Sequence, residues 1–292
     1  IAQGTILQIQ QDRQSRIGPF LAGRAGVHAR PHTPESELFA LGHIRLSTNG
    51  IHTVRPLELD LPKGRLTVVT GVSGSGKTTL VLESLIPALQ ANINGTALPE
   101  HVRAVEADGI AQVKLIDATP IGINVRSTVA TYANVHDELR KLYAKTPKAK
   151  ELGYKAGDFS YNTGRLRCPT CDGTGVISLD VQFLPDVEVV CPDCGGSRYA
   201  KEAADVTLPM ADGTAASMAD LMDMDVSTAL EACADRRLVR QRLRVLQELG
   251  LGYLTLGEET PSLSGGEAQR LKLASEMGRG QADSVFVFDE PT

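Results

Sequence analysis

A run of eight residues, Gly71 to Thr78, places the strongest constraint on the fold. It reads GVSGSGKT and matches the pattern GxxxxGK[ST], in which glycines let backbone N–H groups turn inward around a chain of phosphates. Leu66 to Thr70 form a short apolar run that predicts a strand, and Leu80 to Ile86 have the spacing and length of a helix. The sequence therefore predicts a phosphate-binding turn between a strand and a helix, which indicates an α/β fold.

Two side chains of this loop carry specific chemistry. Lys77 is predicted to neutralise the β and γ phosphate oxygens of ATP and to act in catalysis, and the Thr78 hydroxyl is predicted to ligate Mg²⁺. A plain glycine-rich turn is the alternative, but the pattern arises by chance in about one chain in a hundred of this length. The nucleotide-binding residues predicted here are Gly71, Ser73, Gly74, Ser75, Gly76, Lys77, Thr78 and Thr79.

An acidic pair near the end of the sequence is a second candidate for this chemistry. Val285 to Phe288 form a hydrophobic strand that ends in Asp289 and Glu290. Asp289 is predicted to hold Mg²⁺, directly or through water, and Glu290 is predicted to act as a catalytic residue near the attacking water. In isolation a solvated strand end explains the pair equally well, and the phosphate loop upstream favours the catalytic interpretation.

The stretch before this strand opens a helix with small residues. Ser264, Gly265, Gly266 and Glu267 lie where free N–H groups and the helix dipole favour an anion. We interpret these four as nucleotide-contacting residues. A serine that only caps the helix is the alternative.

Two CxxC pairs predict a zinc site. Cys168 and Cys171 form the first pair, Cys191 and Cys194 form the second, and residues 172–190 separate them, which is the spacing of a four-thiolate structural zinc site. Glycines follow each pair and let backbone N–H groups approach the thiolates. A disulfide or a redox pair is the alternative, but two matched pairs flanked by turns suit a tetrahedral ion better.

Charge around the cysteines leaves a nucleic-acid contact open. The whole chain has a formal charge of −5, so a nucleic-acid partner would need a local basic patch. Basic residues flank the cysteine block and acidic ones lie between them, so charge alone favours neither contact with phosphates nor its absence. The basic residues are Arg165, Arg167, Arg198 and Lys201, and the acidic ones are Asp172, Asp180, Asp186, Glu188 and Asp193.

Periodicity predicts further elements. Short alternations suggest strands between Phe39 and Leu61, and another strand is expected at Val113 to Asp117. Thr128 to Gly153 has the pattern of a polar, amphipathic helix, and Met218 to Leu249 that of a pair of surface helices. Cys233, apart from the two pairs, is predicted to be a buried small hydrophobe.

These motifs together resemble a known family. Leu263 to Arg270, followed later by the apolar strand and Asp289-Glu290-Pro291-Thr292, looks like the signature and Walker B motifs of ATP-binding cassettes. A zinc module between the phosphate loop and the signature is unlike a transporter cassette and resembles the second cassette of the UvrA family of bacterial repair ATPases. Other stretches that look like this family are Ala2 to Thr5, Phe20 to Gly23, Thr119 to Gly122, Ala130 to Tyr132 and Phe183 to Asp186.

The resemblance implies a fold and a function. It implies a P-loop NTPase of the ATP-binding cassette type, with a helical signature lobe and an inserted zinc module, that uses ATP, Mg²⁺ and Zn²⁺. Family members pair their cassettes head to tail, so Ser264 to Glu267 would contact nucleotide held by a different cassette's phosphate loop. They form dimers, bind duplex DNA, especially damaged DNA, and load the partner UvrB with ATP turnover in nucleotide excision repair. The zinc module is implied to help discriminate damaged from intact duplex.

The resemblance also suggests how the chain is organised. It begins at Ile1 and stops at Thr292 directly after the acidic pair, which suggests a piece of something longer. No run approaches the roughly 18 apolar residues that span a bilayer and no basic-then-apolar leader opens the chain, so a cytoplasmic protein with no membrane partner is expected. The expected segments are 1–38 (tail of a preceding cassette and linker), 39–125 (ATP-binding lobe), 126–165 (helical connection), 166–200 (zinc module), 201–260 (helical signature lobe) and 261–292 (signature motif and Walker B strand).

Three departures from the family pattern keep a second hypothesis open. Ala118 stands where the family has the Q-loop Gln near Mg²⁺ and the γ phosphate, Thr78 replaces the usual Ser, and Gly42 to Leu59 differs from the usual lead-in. These differences suit a UvrA-like paralogue for resistance to DNA-binding drugs as readily as the repair enzyme. A transporter ATPase subunit is a third hypothesis, for which a zinc insertion has no explanation. The chain alone is not expected to hydrolyse ATP efficiently.

Overall fold

The computed structural model describes residues 3–26, 33–122, 124–179, 187–277 and 281–290, with Val187 described in its backbone only. The chain divides into two compact units, Ile1–Gly109 and Ile110–Thr292. Some residues of the sequence motifs lie outside the described ranges, namely Ala2, Asp180, Phe183 to Asp186 and Pro291-Thr292.

The first unit opens with short helices and continues into a three-stranded antiparallel sheet with the strand order β2-β1-β3. The strands predicted between Phe39 and Leu61 are confirmed, and Leu46 of the central strand is fully buried. The elements are α1 (Ile6–Gln11), α2 (Gly18–Leu21), a 3₁₀ turn (Glu35–Glu37), β1 (His43–Thr48), β2 (Leu57–Pro62) and β3 (Val102–Glu106).

One continuous helix follows the phosphate loop, as predicted. Its first part, Thr79–Leu85, is π-helical and continues as α3 (Ile86–Asn94), which ends at Gly95 in the left-handed conformation (φ 63°). The strand predicted before the loop is wrong, because Leu66 to Thr70 join no ladder in the described part of the chain and Leu66 is 88% exposed. An apolar run becomes a strand only where a neighbouring strand pairs with its N–H and C=O groups.

Two parallel strands, one from the start and one from the end of the second unit's sequence, pair with each other. β4 (Gln112–Ile116) and β9 (Ser284–Phe288) run in register, so that Ile116 lies opposite Phe288. Both strands occur where the hydrophobic runs predict them. Because parallel strands end at the same edge, the residues that follow Ile116 and Phe288 emerge side by side.

The stretch Thr128 to Gly153 forms three short helices, so the prediction of one helix is wrong. Asn134 adopts a left-handed conformation (φ 57°) that separates the first two, and Thr146 caps the third, whose first residue is a proline. The helical period persists in the middle helix, where Leu139 and Tyr143 are fully buried. The three are α4 (Val129–Tyr132), α5 (Val135–Tyr143) and α6 (Pro147–Glu151).

Met218 to Leu249 also forms three helices where a pair is predicted. Ser217 and Asp225 each accept a hydrogen bond from a backbone N–H and cap the first and second helix, which divides the stretch near Met224. Of the apolar positions in the third helix, Leu243 and Leu246 are fully buried, whereas Leu238 is 55% exposed. The helices are α7 (Met218–Asp223), α8 (Val226–Ala232) and α9 (Arg237–Glu248).

Two hairpins and the signature helix complete this unit. The first hairpin lies between the two cysteine pairs, and the second packs before α7. The elements are β5 (Val176–Leu179), β6 (Val187–Val190), a 3₁₀ turn (Lys201–Asp205), β7 (Thr207–Pro209), β8 (Ala215–Ser217), a second 3₁₀ turn (Thr260–Ser262) and α10 (Gly265–Glu276).

One hydrophobic core unites the helices of the second unit. Aromatic and aliphatic side chains from α5, the segment before the cysteines and α7 to α9 meet in it. Cys233 belongs to this core and is 1% exposed, as predicted. No helix among the described residues is both long and apolar enough to cross a bilayer. The fully buried members include Leu139, Tyr143, Phe159, Tyr161, Met218, Leu221, Leu243, Leu246, Leu251 and Leu256.

Candidate nucleotide and metal sites

The phosphate loop is built around one obligatory glycine and one lysine. Gly76 has φ 93°, and a Cβ at this position would lie 2.5 Å from Cγ2 of Val54, so only glycine fits. The ammonium of Lys77 donates hydrogen bonds to the carbonyl oxygens of Gly71 at 2.9 Å and Val72 at 3.0 Å. The lysine head group therefore lies over the loop, where it can meet phosphate oxygens.

The two threonines after this lysine have different surroundings. Thr78 is exposed, whereas Thr79 is buried and its hydroxyl donates to Oε1 of Glu83 at 3.0 Å. The Thr78 hydroxyl is thus open to an incoming ligand, and the Thr79 hydroxyl is engaged within its own helix. The glycines and serines from Gly71 to Ser75 are all exposed.

The signature residues lie at the start of α10 in the second unit. Glu267 accepts hydrogen bonds from both the backbone N–H and the hydroxyl of Ser264, each at 2.7 Å, and from the Tyr253 hydroxyl. These bonds, that of Tyr253 first, lower the pKa of Glu267. The carboxylate is therefore kept ionised, and it orients the Ser264 hydroxyl at the helix N-terminus.

The acidic pair emerges at the end of β9, as predicted. Asp289 donates its backbone N–H to the carbonyl of Ile116 at 3.2 Å, so the chain remains tied to β4 just beyond the strand. Glu290 is exposed and has φ 44°, a conformation that is uncommon outside glycine. The strand thus ends at an exposed carboxylate on a left-handed residue.

Asp117, after β4, faces the signature helix. The ammonium of Lys272 forms an ion pair with it, and Thr119 donates to it at 2.7 Å. Burial opposes its ionisation, but hydrogen bonds from Lys272 and Thr119 outweigh that effect and lower the pKa of Asp117. Next to it, Ala118 packs so closely on Gly265 that a Cβ added to the glycine would lie 3.2 Å from the alanine methyl.

The four cysteines of the two CxxC pairs form one compact group, which we name the four-cysteine cluster. Their sulfur atoms all lie within 4.8 Å of one another, with 3.9 Å between Cys168 and Cys191 and 3.7 Å between Cys171 and Cys194. A disulfide requires about 2.05 Å. Tetrahedral zinc at about 2.3 Å from each sulfur places the sulfurs about 3.8 Å apart. The cluster therefore fits the predicted Zn²⁺, and its sulfur–sulfur distances are not those of a disulfide.

Backbone groups around the cluster favour thiolates. The N–H of Gly175 donates to Sγ of Cys171 at 3.2 Å. Burial opposes thiolate formation at Cys171, but hydrogen bonds led by Gly175 lower its pKa to about 7. The glycine Gly173, with φ 78°, packs so tightly that a Cβ would lie 1.8 Å from the carbonyl oxygen of Tyr161. These two glycines let the loop after Cys171 pack closely against the core of the unit.

Three of the four basic residues that flank the cysteines are already paired. Arg165 binds Asp158 and Arg167 binds Asp172, at 2.7 Å and 2.9 Å. Arg198 is 5% exposed, which removes it from any phosphate of a bound nucleic acid. The sequence leaves contact with phosphates open here, and in the structure pairing and burial leave little free positive charge.

A free basic surface lies instead on α9. Arg237, Arg240 and Arg244 occur at positions i, i+3 and i+7 and are all exposed, whereas Val239 and Leu243 of the same helix are buried. In the described part of the chain no carboxylate lies within 4.0 Å of these three guanidinium groups. We name these three residues the α9 arginine row. Sequence analysis missed this surface, although the helical spacing of the three arginines could have revealed it.

The parts of an ATP-binding cassette are thus present in this chain. They are a phosphate loop, a signature-type helix start and an acidic strand end, and the four-cysteine cluster is an insertion among them. The class is therefore an ATP-binding-cassette fold with a four-cysteine module whose geometry fits zinc. No family model matches the chain.

Known proteins and a solved structure are similar to the whole of this chain. Over its whole length the chain is 38% identical to UvrABC system protein A of Aquifex aeolicus, and 39% identical to that of Thermus thermophilus and of Bacillus subtilis. The crystal structure of UvrA2 from Deinococcus radiodurans matches 97% of the chain with a TM-score of 0.79 and 38% identity. The chain is thus similar over its whole length to one portion of these UvrA proteins. It spans 30–31% of these relatives and 33% of the solved chain.

Proposed function

We propose that this chain is the second-cassette portion of a protein that recognises DNA damage and uses ATP in nucleotide excision repair. The observation that carries the proposal is the four-cysteine cluster built into the same unit as the signature helix and the acidic strand end, in a UvrA homologue. A transporter ATPase subunit offers no reason for such a cluster.

Residues of the phosphate loop and of the strand end are proposed to bind and hydrolyse ATP. Lys77 neutralises phosphate oxygens, and the backbone N–H groups of the loop surround them. The Thr78 hydroxyl is a proposed ligand of Mg²⁺, an ion that would neutralise phosphate charge, and Asp289 is the other residue proposed for this role. Glu290 accepts a proton from the attacking water. The structure supports these roles through the exposure of Thr78 and Glu290 and the position of the Lys77 ammonium.

The signature residues serve a nucleotide held by a different cassette. Gly265 and Gly266 lie in the first turn of α10, where backbone N–H groups have no partner within the helix, an arrangement that favours an anion. Glu267 orients the Ser264 hydroxyl, and it is one of the four residues proposed to contact this nucleotide. Efficient hydrolysis accordingly needs a head-to-tail partner cassette and, with it, the dimer of the complete protein.

Duplex DNA is the proposed macromolecular partner, and the α9 arginine row is its proposed contact surface in this unit. Seven residues of helix separate Arg237 from Arg244, a rise of about 10 Å, over which one DNA strand presents about three phosphates. The chain has a net charge of −5, so this local row, and no global attraction, would bring DNA to the protein. A UvrB-like protein is the proposed recipient of the damaged site, in the cytoplasm.

The test uses the full-length protein. Duplexes with and without a bulky lesion are titrated at several salt concentrations with ATP, and a strain that lacks its own repair ATPase is complemented. We expect tighter binding to the damaged duplex and restored survival after ultraviolet irradiation. Equal affinity for both duplexes together with failed complementation contradicts the proposal, and retained tolerance of a DNA-binding drug in that case identifies a resistance protein.

A further inference from the structure

Among the described residues, Arg198 is the one buried arginine, with 5% of its surface exposed. It lies four positions after Cys194, and its backbone adopts φ 74°, which is uncommon outside glycine. Arginines are almost never fully buried unless they are paired. Its burial therefore requires an explanation in its contacts.

The backbone of Arg198 belongs to the base of the zinc module. Its carbonyl accepts a hydrogen bond from the N–H of Cys168 at 2.9 Å, and the N–H of Ala200 donates to Leu166 at 2.9 Å. The chain entering the module and the chain leaving it are thus paired at this point. The backbone position of Arg198 is therefore tied to the first cysteine of the module.

The guanidinium of Arg198 reaches out of the module into the signature lobe. It donates to Oε1 of Glu259 at 2.7 Å and to the carbonyl of Val125 at 3.1 Å, and it lies 5.3 Å from the centre of the Tyr161 ring. Two hydrogen bonds and a cation–π contact fix a planar guanidinium in a way that an ammonium does not reproduce.

Glu259 starts the turn that leads to the signature serine, Ser264. Its carbonyl accepts hydrogen bonds from the hydroxyl of Ser262 at 2.7 Å and from the N–H of the same residue at 3.2 Å. The N–H of Thr260 donates to the carbonyl of Ser127 at 2.9 Å. The side chain of Glu259 thus binds the zinc module while its backbone shapes the loop before Ser264.

We propose that Arg198 is a positioning residue that couples the zinc module, through Glu259, to the turn that precedes Ser264. A shift of the module at Arg198 moves the guanidinium and, through it, Glu259 and the turn before Ser264. The conformation of the module therefore determines how the signature residues contact nucleotide. A buried ion pair contributes little net stability but fixes one arrangement of its partners. This inference rests on the proposed function, since it links the zinc module of a DNA-binding ATPase to the residues that meet ATP.

An exposed pair in the same unit provides a matched control. Arg165 binds Asp158 at 2.7 Å and lies 5.2 Å from the Tyr154 ring, but its side chain is 63% exposed, against 6% for Arg198. The two pairs share the same chemical groups and differ in burial and in what they connect.

The test compares Glu259→Gln, Arg198→Lys and the control Asp158→Asn in the full-length protein. For each we measure bound zinc, the ATPase rate with and without duplex DNA, and amide hydrogen exchange of residues 260–265 before and after zinc removal. We expect Glu259→Gln and Arg198→Lys to retain zinc and the basal rate, to lose about fivefold or more of the DNA stimulation, and to show exchange that no longer responds to zinc. Asp158→Asn should behave as wild type.

Several results overturn the coupling. They are wild-type stimulation and exchange in Glu259→Gln, loss of zinc in that variant, a fall of basal and stimulated rates in equal proportion, or the same losses in Asp158→Asn. Failure of the proposed function is recognised separately, because the wild-type ATPase would then not respond to duplex DNA. The exchange measurement still decides the coupling in that case.

Discussion

The side-chain amide of Gln269 donates a hydrogen bond to the main-chain oxygen of Asp289 at 2.8 Å. The same nitrogen donates to the carbonyl of Ile116 at 3.1 Å, and the residue is 3% exposed. One buried side chain of α10 therefore ties the signature helix to the ends of both parallel strands. The segment that carries the acidic pair is positioned by the helix that opens with the signature.

Replacing Gln269 by leucine should destabilise the second unit. The change keeps the approximate size and removes a donor to two carbonyls, which costs about 1–3 kcal/mol for a buried group left unsatisfied. Denaturant unfolding of the full-length protein measures the loss. Gln241→Leu on the exposed face of α9 is the control and should change stability by less than about 0.5 kcal/mol. Equal effects of the two substitutions contradict the positioning role.

Substitutions in the phosphate loop and at the strand end should affect different steps, the first ATP binding and the second ATP hydrolysis. Lys77→Ala removes a charge-assisted contact to phosphate, so ATP affinity should fall about tenfold or more. Glu290→Gln keeps the shape but removes the base, so the hydrolysis rate should fall about 100-fold or more while affinity stays near wild type. Nucleotide titration and steady-state ATPase assays on the full-length protein measure both. Equal loss of affinity in the two variants argues against these roles.

The four-cysteine cluster should be required for damage preference. Cys191→Ser with Cys194→Ser removes two of the four thiolates, so we expect loss of the bound zinc and of the preference for damaged duplex. Cys233→Ser is the matched control, because this cysteine is also buried but lies in the hydrophobic core away from the cluster. Metal analysis and duplex titrations measure the outcome. An unchanged damage preference without zinc shows that the module has another role.

Short motifs were readable from the sequence because each one encodes its own geometry. The spacing of the Cys168 and Cys191 pairs requires a compact cluster, and β9 is a hydrophobic run whose length and ending suit a strand. Elements that depend on a neighbour were less readable. Leu66 to Thr70 has strand composition but no ladder in the described chain, and the break at Asn134 depends on a left-handed residue.

Contacts between distant parts of the chain could not be predicted. Arg198 appears in the sequence as one of several basic residues beside the cysteines, and only the fold shows that it is buried against Glu259. Gln269 is similarly part of the signature motif in the sequence, and only the fold shows that α10 places it between two strand ends. The missed residues act through partners far away in the sequence, for which a single sequence carries no local signal.

The α9 arginine row should supply part of the salt dependence of DNA binding. Each phosphate contact contributes about −0.9 to the slope of the logarithm of the binding constant against the logarithm of salt concentration. Arg237→Gln, Arg240→Gln and Arg244→Gln together should therefore make the slope shallower by about 2 to 3. Arg103→Gln, an exposed arginine paired with Glu58, is the control and should leave the slope unchanged. An unaltered slope in the triple variant shows that DNA does not contact this row.

Acid should destabilise the second unit through His136. The imidazole is 3% exposed, and its Nε2 lies 2.8 Å from the Tyr199 hydroxyl, which itself donates to the carbonyl of Phe159. Nε2 therefore carries the proton and donates to the tyrosine. Burial, assisted by the positive charge of Arg140, lowers the pKa of His136 from 6.5 to about 4.

The sign of the pH effect follows from this depressed pKa. Between pH 6.5 and pH 4 the unfolded chain binds a proton at His136 that the folded chain does not, so stability is complete above pH 6.5 and is lost as the pH falls towards 4. The loss amounts to about 3 kcal/mol, from roughly 1.4 kcal/mol for each pH unit. Denaturant unfolding at several pH values measures it. His136→Phe keeps a ring and cannot titrate, so its stability should lack this step. An identical pH dependence in the variant and the wild type assigns the acid sensitivity to another group.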